Sequence, residues 1–308
     1  MDREMEKAMK QFLQYLEDHP DELDDDASVD DLAQRFMREY SASQPKGNAL
    51  ALPQTADDYL ELAEEATSKK KRLEYLDKAL ELEPDNLDAA LLAAENRAKD
   101  PEDLLKALSG LIEQGDAQME RGGYFQDSMG EFWAVLETRP YLRLRAARLS
   151  ALIQCGMLRS AITEAQRMLE LCENDNLGAR YTLMHLYAYF EEEDNALALD
   201  KQYGEWEDTQ LLLPLAVLYY KKQDFERSLQ YLQRLNKKNK DTKKFFRAAA
   251  EGRLDECLDE MDLYAYRPFT IEELIMEYME NHFLFDSVDH FFNWANRSLK
   301  KPAGRPAK

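Results

Sequence analysis

Leu149-Ser150-Ala151-Leu152-Ile153 … Gly156 … Ala161-Ile162 … Leu169 opens a pattern that returns twice. The second copy is Leu183 … Leu186 … Phe190 … Ala196-Leu197, and the third is Leu215-Ala216-Val217 … Tyr219 … Ser228-Leu229 … Leu232. Each copy reads as an apolar helix, a tight turn, a small residue and then a second, amphipathic helix. The small residues that open the second helices, Ala161, Ala196 and Ser228, stand 35 and 32 residues apart. Helix pairs of this size cannot bury their apolar faces alone. Neighbouring pairs must shelter one another, and such stacks curve into solenoids whose grooves hold other chains.

Working outward, residues 2–18 read as an amphipathic helix with Met5, Met9, Phe12, Leu13 and Leu16 on one stripe. The acidic run around Asp24-Asp25-Asp26 lacks the glycine and the closing glutamate of a calcium loop. Ser28 instead caps a helix from Val29 to Tyr40, with Asp31 placed to return the bond. Residues 41–48 read as a linker. Thr55 with Asp58 forms a capping box for the next helix pair, which stops at Pro84. Pro101 opens a helix that runs to Arg121 and breaks at Gly122-Gly123. Beyond the three clear copies, Asp241 to Leu263 is a degenerate pair. Thr270 with Glu273 is a last capping box, opening an aromatic segment (Tyr278, Phe283, Phe291, Phe292, Trp294) that either seals the end of the stack or offers an exposed site. The expected organisation is an N-terminal helical appendage (1–44), a linker (45–54), a solenoid (55–263), a C-terminal helical cap (264–299) and a disordered tail (300–308).

Composition bounds the function. Among 308 residues, 44% are hydrophobic and 33% charged, which suits a soluble helical protein. A net charge of −21 repels phosphate and so argues against general affinity for nucleic acid or anionic membranes. Cys155, Cys172 and Cys257 form no metal-ligand spacing and read as reduced thiols. The polar start Met1-Asp2-Arg3-Glu4 is no signal peptide. The longest apolar run, Leu211 to Tyr220, is half the ~20 residues that a membrane span needs, and Pro214 interrupts it. The expected location is cytoplasmic.

A sharper signature lies in the middle of the chain. It comprises Gly123-Tyr124-Phe125, Phe132-Trp133 and Glu137-Thr138-Arg139-Pro140-Tyr141-Leu142-Arg143, followed by Asn174-Asp175-Asn176-Leu177-Gly178-Ala179-Arg180-Tyr181. With the repeat period near ~34 residues, the chain resembles the tetratricopeptide-repeat (TPR) family. In particular it resembles a group of bacterial cytoplasmic members, loosely associated with the suppressor-of-tumorigenicity repeats, that share an E-T-R-P-Y-[ML]-R segment. The resemblance covers roughly residues 55–235. It implies an all-α, right-handed TPR-like α-solenoid of antiparallel helix pairs that works by interaction. It carries over no chemistry. Arg72 and Met168 stand where the generic repeat prefers alanine, and Glu173 where it has proline. Locally, Pro140 marks a helix start at Thr138 or Arg139, and Asn174-Asp175-Asn176 can cap the following helix.

Between Glu137 and Glu164 there is no acidic residue, yet the window holds Arg139, Arg143, Arg145, Arg148 and Arg159. If first helices line the inner face, Arg139, Arg143, Arg180, Tyr181, Tyr187, Tyr220 and Lys221 form a candidate surface for an acidic peptide or a C-terminal carboxylate. Guanidinium forks and tyrosines suit that task. The competing reading is that these arginines pair with the chain's own acidic helices. The lysines of 237–244 beside Phe245 and Phe246 could serve single-stranded nucleic acid, but the phenylalanines read better as helix core. His282, Asp286 and His290, if on one helix, spread over ~12 Å and cannot share an ion. His185 reads as a groove or core histidine. There is no phosphate loop and no nucleophile elbow. The chain is therefore expected to be a non-catalytic scaffold or adaptor with a protein or peptide partner and no cofactor or metal. The alternative is a helical enzyme or small-ligand or metal-binding protein with its site between solenoid and cap.

Overall fold

Helix boundaries in this chain follow from local backbone chemistry, and the computed structural model describes residues 3–18, 32–38, 53–204, 208–259, 261 and 267–300. Among these residues the fold is all-α, with no strand and an isolated bridge between Glu131 and Cys172. The Ser28 cap, the acidic run at 24–26, the linker at 41–48 and the tail beyond Lys300 lie outside the described residues. No described helix is long and apolar enough to cross a membrane. The chain divides into two compact units, Met1–Cys155 with Leu171–Glu173, and Gly156–Glu170 with Asn174–Lys308.

The first unit holds α1 (Arg3–Asp18), α2 (residues 32–38), α3 (Ala56–Glu65), α4 (Lys69–Leu82), α5 (Leu87–Arg97), α6 (Pro101–Arg121), the single turn α7 (Tyr124–Asp127) and α8 (Arg139–Gln154). The Thr55 hydroxyl accepts from the Asp58 N–H at 3.1 Å and the Asp58 carboxylate accepts from the Thr55 N–H at 3.0 Å, so the capping box is reciprocal. Helix α4 stops two residues before Pro84, and α6 starts on Pro101 behind the Asp100 cap. Small residues (Ala56, Ala63, Ala79, Ala89, Ala93) let α3, α4 and α5 approach closely around Leu60 and Leu76. A second core joins Leu87, Leu91, Leu108, Ile112, Phe132, Tyr141, Leu142, Leu144 and Leu171. Gly115 permits this contact: a Cβ there would lie 2.6 Å from the Tyr141 ring.

The second unit holds α9 (Leu158–Leu171, whose last residue belongs to the first unit), α10 (Ala179–Phe190), α11 (Glu193–Tyr203), α12 (Thr209–Lys221), α13 (Phe225–Lys238), α14 (Thr242–Ala250), α15 (Leu254–Asp259), α16 (Ile271–Glu280), α17 (His282–Phe285) and α18 (Asp289–Lys300). Helix α12 is buried continuously from Leu211 to Tyr219, so its sequence is apolar on every side. It packs on α13 across a three-residue turn, and Ser228 donates to the Ala216 carbonyl at 2.7 Å. The small residue at the repeat position therefore brings the second helix onto the backbone of the first. Ala161 and Ala196 are likewise fully buried.

Two local expectations need correction. The Thr270 hydroxyl donates to the Arg267 carbonyl at 2.7 Å rather than capping α16, and Glu273 accepts from the Phe269 N–H at 2.9 Å, so the box is not reciprocal. His282 and His290 do not share a helix, because α17 ends at Phe285 and α18 begins at Asp289. The C-terminal aromatics fold inward: Phe285, Phe291 and Phe292 are buried with Phe245 and Phe246 in one network of ring contacts. That burial removes Phe245 and Phe246 from any role in base stacking.

Candidate functional site

The arginine-rich window becomes a built site at the start of α8. Two 3-10 turns, Phe132–Ala134 and Leu136–Thr138, lead into it. Thr138 is the N-cap residue, but its hydroxyl donates backward to the Phe132 and Val135 carbonyls, tying the turns to the helix. Pro140 sits in the first turn, where its missing N–H costs nothing. Spacing of four then places Arg139 and Arg143 on one side of α8, with Tyr141 and Arg145 on another.

Arg139 is 3% exposed, donates from Nε to the Trp133 carbonyl at 2.8 Å and lies over the Trp133 ring. Arg143 forks onto Asp88 of α5, with Nε to Oδ1 at 2.9 Å and Nη2 to Oδ2 at 2.6 Å. Its remaining nitrogen, Nη1, reaches both carboxylate oxygens of Glu6 of α1 at 3.0 Å, and Arg139 Nη1 stands 3.4 Å from the same carboxylate. Burial by itself would lower the basicity of Arg143, but Asp88 and Glu6 outweigh it and its pKa is raised. On the other side, the Tyr141 hydroxyl donates to Asp116 of α6, and Arg145 reaches Asp116 at 3.0 Å and the Tyr141 oxygen. Burial first, and Asp116 next, push the Tyr141 hydroxyl above its ordinary range.

Helix α1 is held by charge along its first half and by aromatic contact along its second, where Phe12 and Tyr15 pack on Phe36 of α2. Among its described side chains only Glu6 is buried, whereas Met5, Met9 and Leu13, spaced one turn apart, are exposed. Lys7 bonds Asp58 and Glu61 of α3 at 3.0 and 2.9 Å, and Lys10 stands 3.9 Å from Asp57. Burial disfavours the Lys7 charge, yet Glu61 and Asp58 raise its pKa. Burial would also raise Asp58, but donors from Gln54, Lys7 and Thr55 hold it well below the usual carboxylate range. A crevice of about 40 Å³ remains beneath α1, lined by Glu6, Lys7, Lys10, Leu60, Glu61 and Asp88 among others.

The other sequence-derived site residues fall in the second unit. Arg180 and Tyr181 form a network with two acids: Arg180 bonds Asp175 at 2.9 Å and lies over the Tyr181 ring, and the Tyr181 hydroxyl donates to Asp208 at 2.9 Å. Burial raises Asp175 against the pull of its donors, and burial with Asp208 carries Tyr181 to about 12 against Arg180. Asp175 also accepts the N–H groups of Ala179 and Arg180, the capping role expected of the Asn174–Asn176 segment, and Gly178 supplies the left-handed turn between them (φ +74°). Tyr187 is buried and accepts from Gln166. Tyr220 packs among Phe225, Phe291 and Trp294. Lys221 donates to the Ala188 and Tyr189 carbonyls near the end of α10.

Sequence reasoning missed the acids Glu6 and Asp88, which lie 137 and 55 residues from Arg143. It also missed a buried pair in the second unit. His185 on α10 and Glu277 on α16 are both inaccessible, with Nε2 and Oε1 3.2 Å apart. The Nδ1 of His185 faces the Tyr181 carbonyl at 2.8 Å, and a carbonyl only accepts, so the ring proton belongs on Nδ1. Nε2 then carries no proton, and although it stands 3.2 Å from Oε1 the two atoms make no hydrogen bond. Burial drives both groups neutral: His185 is lowered to about 4, and Glu277 is raised well above its ordinary value, with Glu273 and Glu280 adding to the effect. No signal in one sequence could have joined α10 to α16.

Comparison with protein-family models and with curated proteins returns no match.

Proposed function

We propose that this protein is a non-catalytic interaction scaffold of TPR-like helix pairs that holds a partner protein through carboxylates, with Arg139 and Arg143 as its gripping residues. One observation carries the reading: this arginine pair already holds a carboxylate borne on a helix, that of Glu6, at 3.0 Å from Arg143. A planar fork fixed by Asp88 on one edge presents its other edge in a set direction, which favours recognition of a second carboxylate over loose charge attraction. The repeat layout supports the wider reading of a right-handed solenoid of antiparallel pairs, because α10 packs on α11 and α12 on α13 across short turns. Three cysteines without disulfides suit a cytoplasmic home.

The test is affinity capture from lysate of the source cell by wild-type protein and by Arg143→Lys, which keeps the charge and loses the fork. A stoichiometric protein partner whose retention falls at least tenfold with Arg143→Lys, at unchanged circular dichroism, supports the reading. A metabolite or metal co-purifying in place of any protein partner would overturn it in favour of a ligand-binding or catalytic role.

A further inference from the structure

The surface beneath α1 has a definite charge order. Arg139 and Arg143 of α8 meet Glu6, and Asp58 and Glu61 of α3 meet Lys7. One helical turn further, Asp57 faces Lys10 at 3.9 Å. A basic socket thus sits beside an acidic ledge, and the helix it accepts reads Glu-Lys-x-x-Lys. The contact differs from a core contact in two ways. Along the first half of the docked helix the buried residue is an acid while Met5 and Met9 face solvent, the aromatic contacts of Phe12 and Tyr15 with Phe36 lying along the second half, and a crevice of about 40 Å³ stays open under it, room for water. Ordinary amphipathic helices dock through the apolar stripe and fill the space beneath them.

We propose that α1 is a tethered stand-in for the true partner, so that the socket on α3, α5 and α8 is a helix-binding site closed by the chain's own first helix. This rests on the reading of Arg139 and Arg143 as carboxylate-gripping residues and adds the partner's class and its regulation. The partner is a helix with a glutamate or aspartate, a lysine or arginine directly after it, and a second basic residue one turn on. It must displace α1 to bind. The covalent link makes α1 an intramolecular competitor, which weakens every partner in trans without any change to the socket. Reversal of two charges on α1 frees the charged socket without altering any residue that forms it, while Phe12 and Tyr15 lie further along α1 against Phe36.

The experiment uses the full chain and a fluorescein-labelled peptide with the sequence of residues 3–18. In the opened variant, Glu6→Arg with Lys7→Glu, α1 is repelled from the socket. Fluorescence anisotropy should show the peptide binding this variant at least tenfold tighter than wild type. A peptide carrying the same two swaps should bind neither chain. Adding Arg143→Glu to the opened variant should abolish binding. Equal, Arg143-dependent binding to wild type and opened chain would overturn self-occupancy while leaving the carboxylate-gripping reading intact. No binding to a folded opened chain would overturn the helix-binding socket, and the capture experiment with Arg143→Lys would then decide the broader reading separately. A second measurement needs no substitution in the chain: saturating unlabelled peptide should raise hydrogen exchange of wild-type residues 5–16 at least tenfold. Unchanged exchange at saturation would count against displacement.

Discussion

At Arg143 a single guanidinium answers two carboxylates from different helices, and the balance of buried charge there is even: Arg139 and Arg143 against Glu6 and Asp88. Removing one partner of such a set leaves an uncompensated charge out of water, which costs about 3 kcal/mol or more, whereas an exposed pair is worth under ~1 kcal/mol. Asp88→Asn should therefore destabilise the first unit by about 3 kcal/mol, read from urea unfolding followed at Trp133. Asp77→Asn, whose carboxylate pairs with Arg97 on the surface, should change it by less than ~1 kcal/mol. The His185–Glu277 pair gives a pH signature instead. Glu277 has a raised folded pKa, so the stability it withdraws is absent below pH ~4.5 and grows as pH rises toward the folded value. His185 has a depressed one, so its contribution is whole above pH ~6.5 and fades on the way down to about 4. Glu277→Gln removes the alkaline loss, because the amide takes no charge at any of these pH values. Its melting point should match wild type at pH 4 and exceed it at pH 8, by about 2–4 °C for each kcal/mol recovered. Equal melting points at both pH values would disprove a protonated Glu277. The arginines were legible in the sequence as a local excess. Their counter-ions were not, because ion pairing across 55 and 137 residues leaves no mark on spacing.

Elements were more legible than residues, for a physical reason. Caps, prolines and glycines act within one turn of chain, so Thr55 with Asp58, Pro84, Pro101, Pro140 and Gly122-Gly123 each set the boundary that their chemistry dictates. The Thr270 box failed where tertiary partners intervened: Glu273 also accepts from Asn239 at 3.1 Å, a bond made to another helix end. The 282–290 segment broke for a similar reason, as the turn at Ser287 lets Phe285 and Phe291 both point inward. Gly115 shows how packing overrides propensity. Alanine would favour α6 by about 1 kcal/mol in isolation, yet its methyl would meet the Tyr141 ring at 2.6 Å. Gly115→Ala should thus be destabilising overall, by about 1–3 kcal/mol, with the loss seen in chemical denaturation and eased by Tyr141→Leu.

On the scale of the molecule, a chain of net charge −21 concentrates its arginines where acids already wait for them, and long-range attraction to further anions is correspondingly blunted. Salt separates the two kinds of ion pair that help to hold α1. Going from 0.1 to 1 M shortens the screening length from about 10 to 3 Å. That weakens Lys10–Asp57, both half-exposed, but hardly touches Glu6, whose side chain is 7% accessible. Hydrogen exchange in α1 should then rise less than tenfold with salt alone, and more than that with Glu6→Arg. All-α character followed from periodicity throughout. Which helices cover which did not, since α16 and α17 reach α12 and α10 from far along the chain.

The outward stripe on α1 has a chemical corollary. Thioethers at Met5 and Met9 are open to small oxidants, while those of Met119, Met168 and Met184 are sealed in. Dilute peroxide should add oxygen to the first two well before the last three, turning a greasy ridge polar without disturbing either core. Peptide mass mapping would read that order directly, and a partner lying across the ridge would protect it.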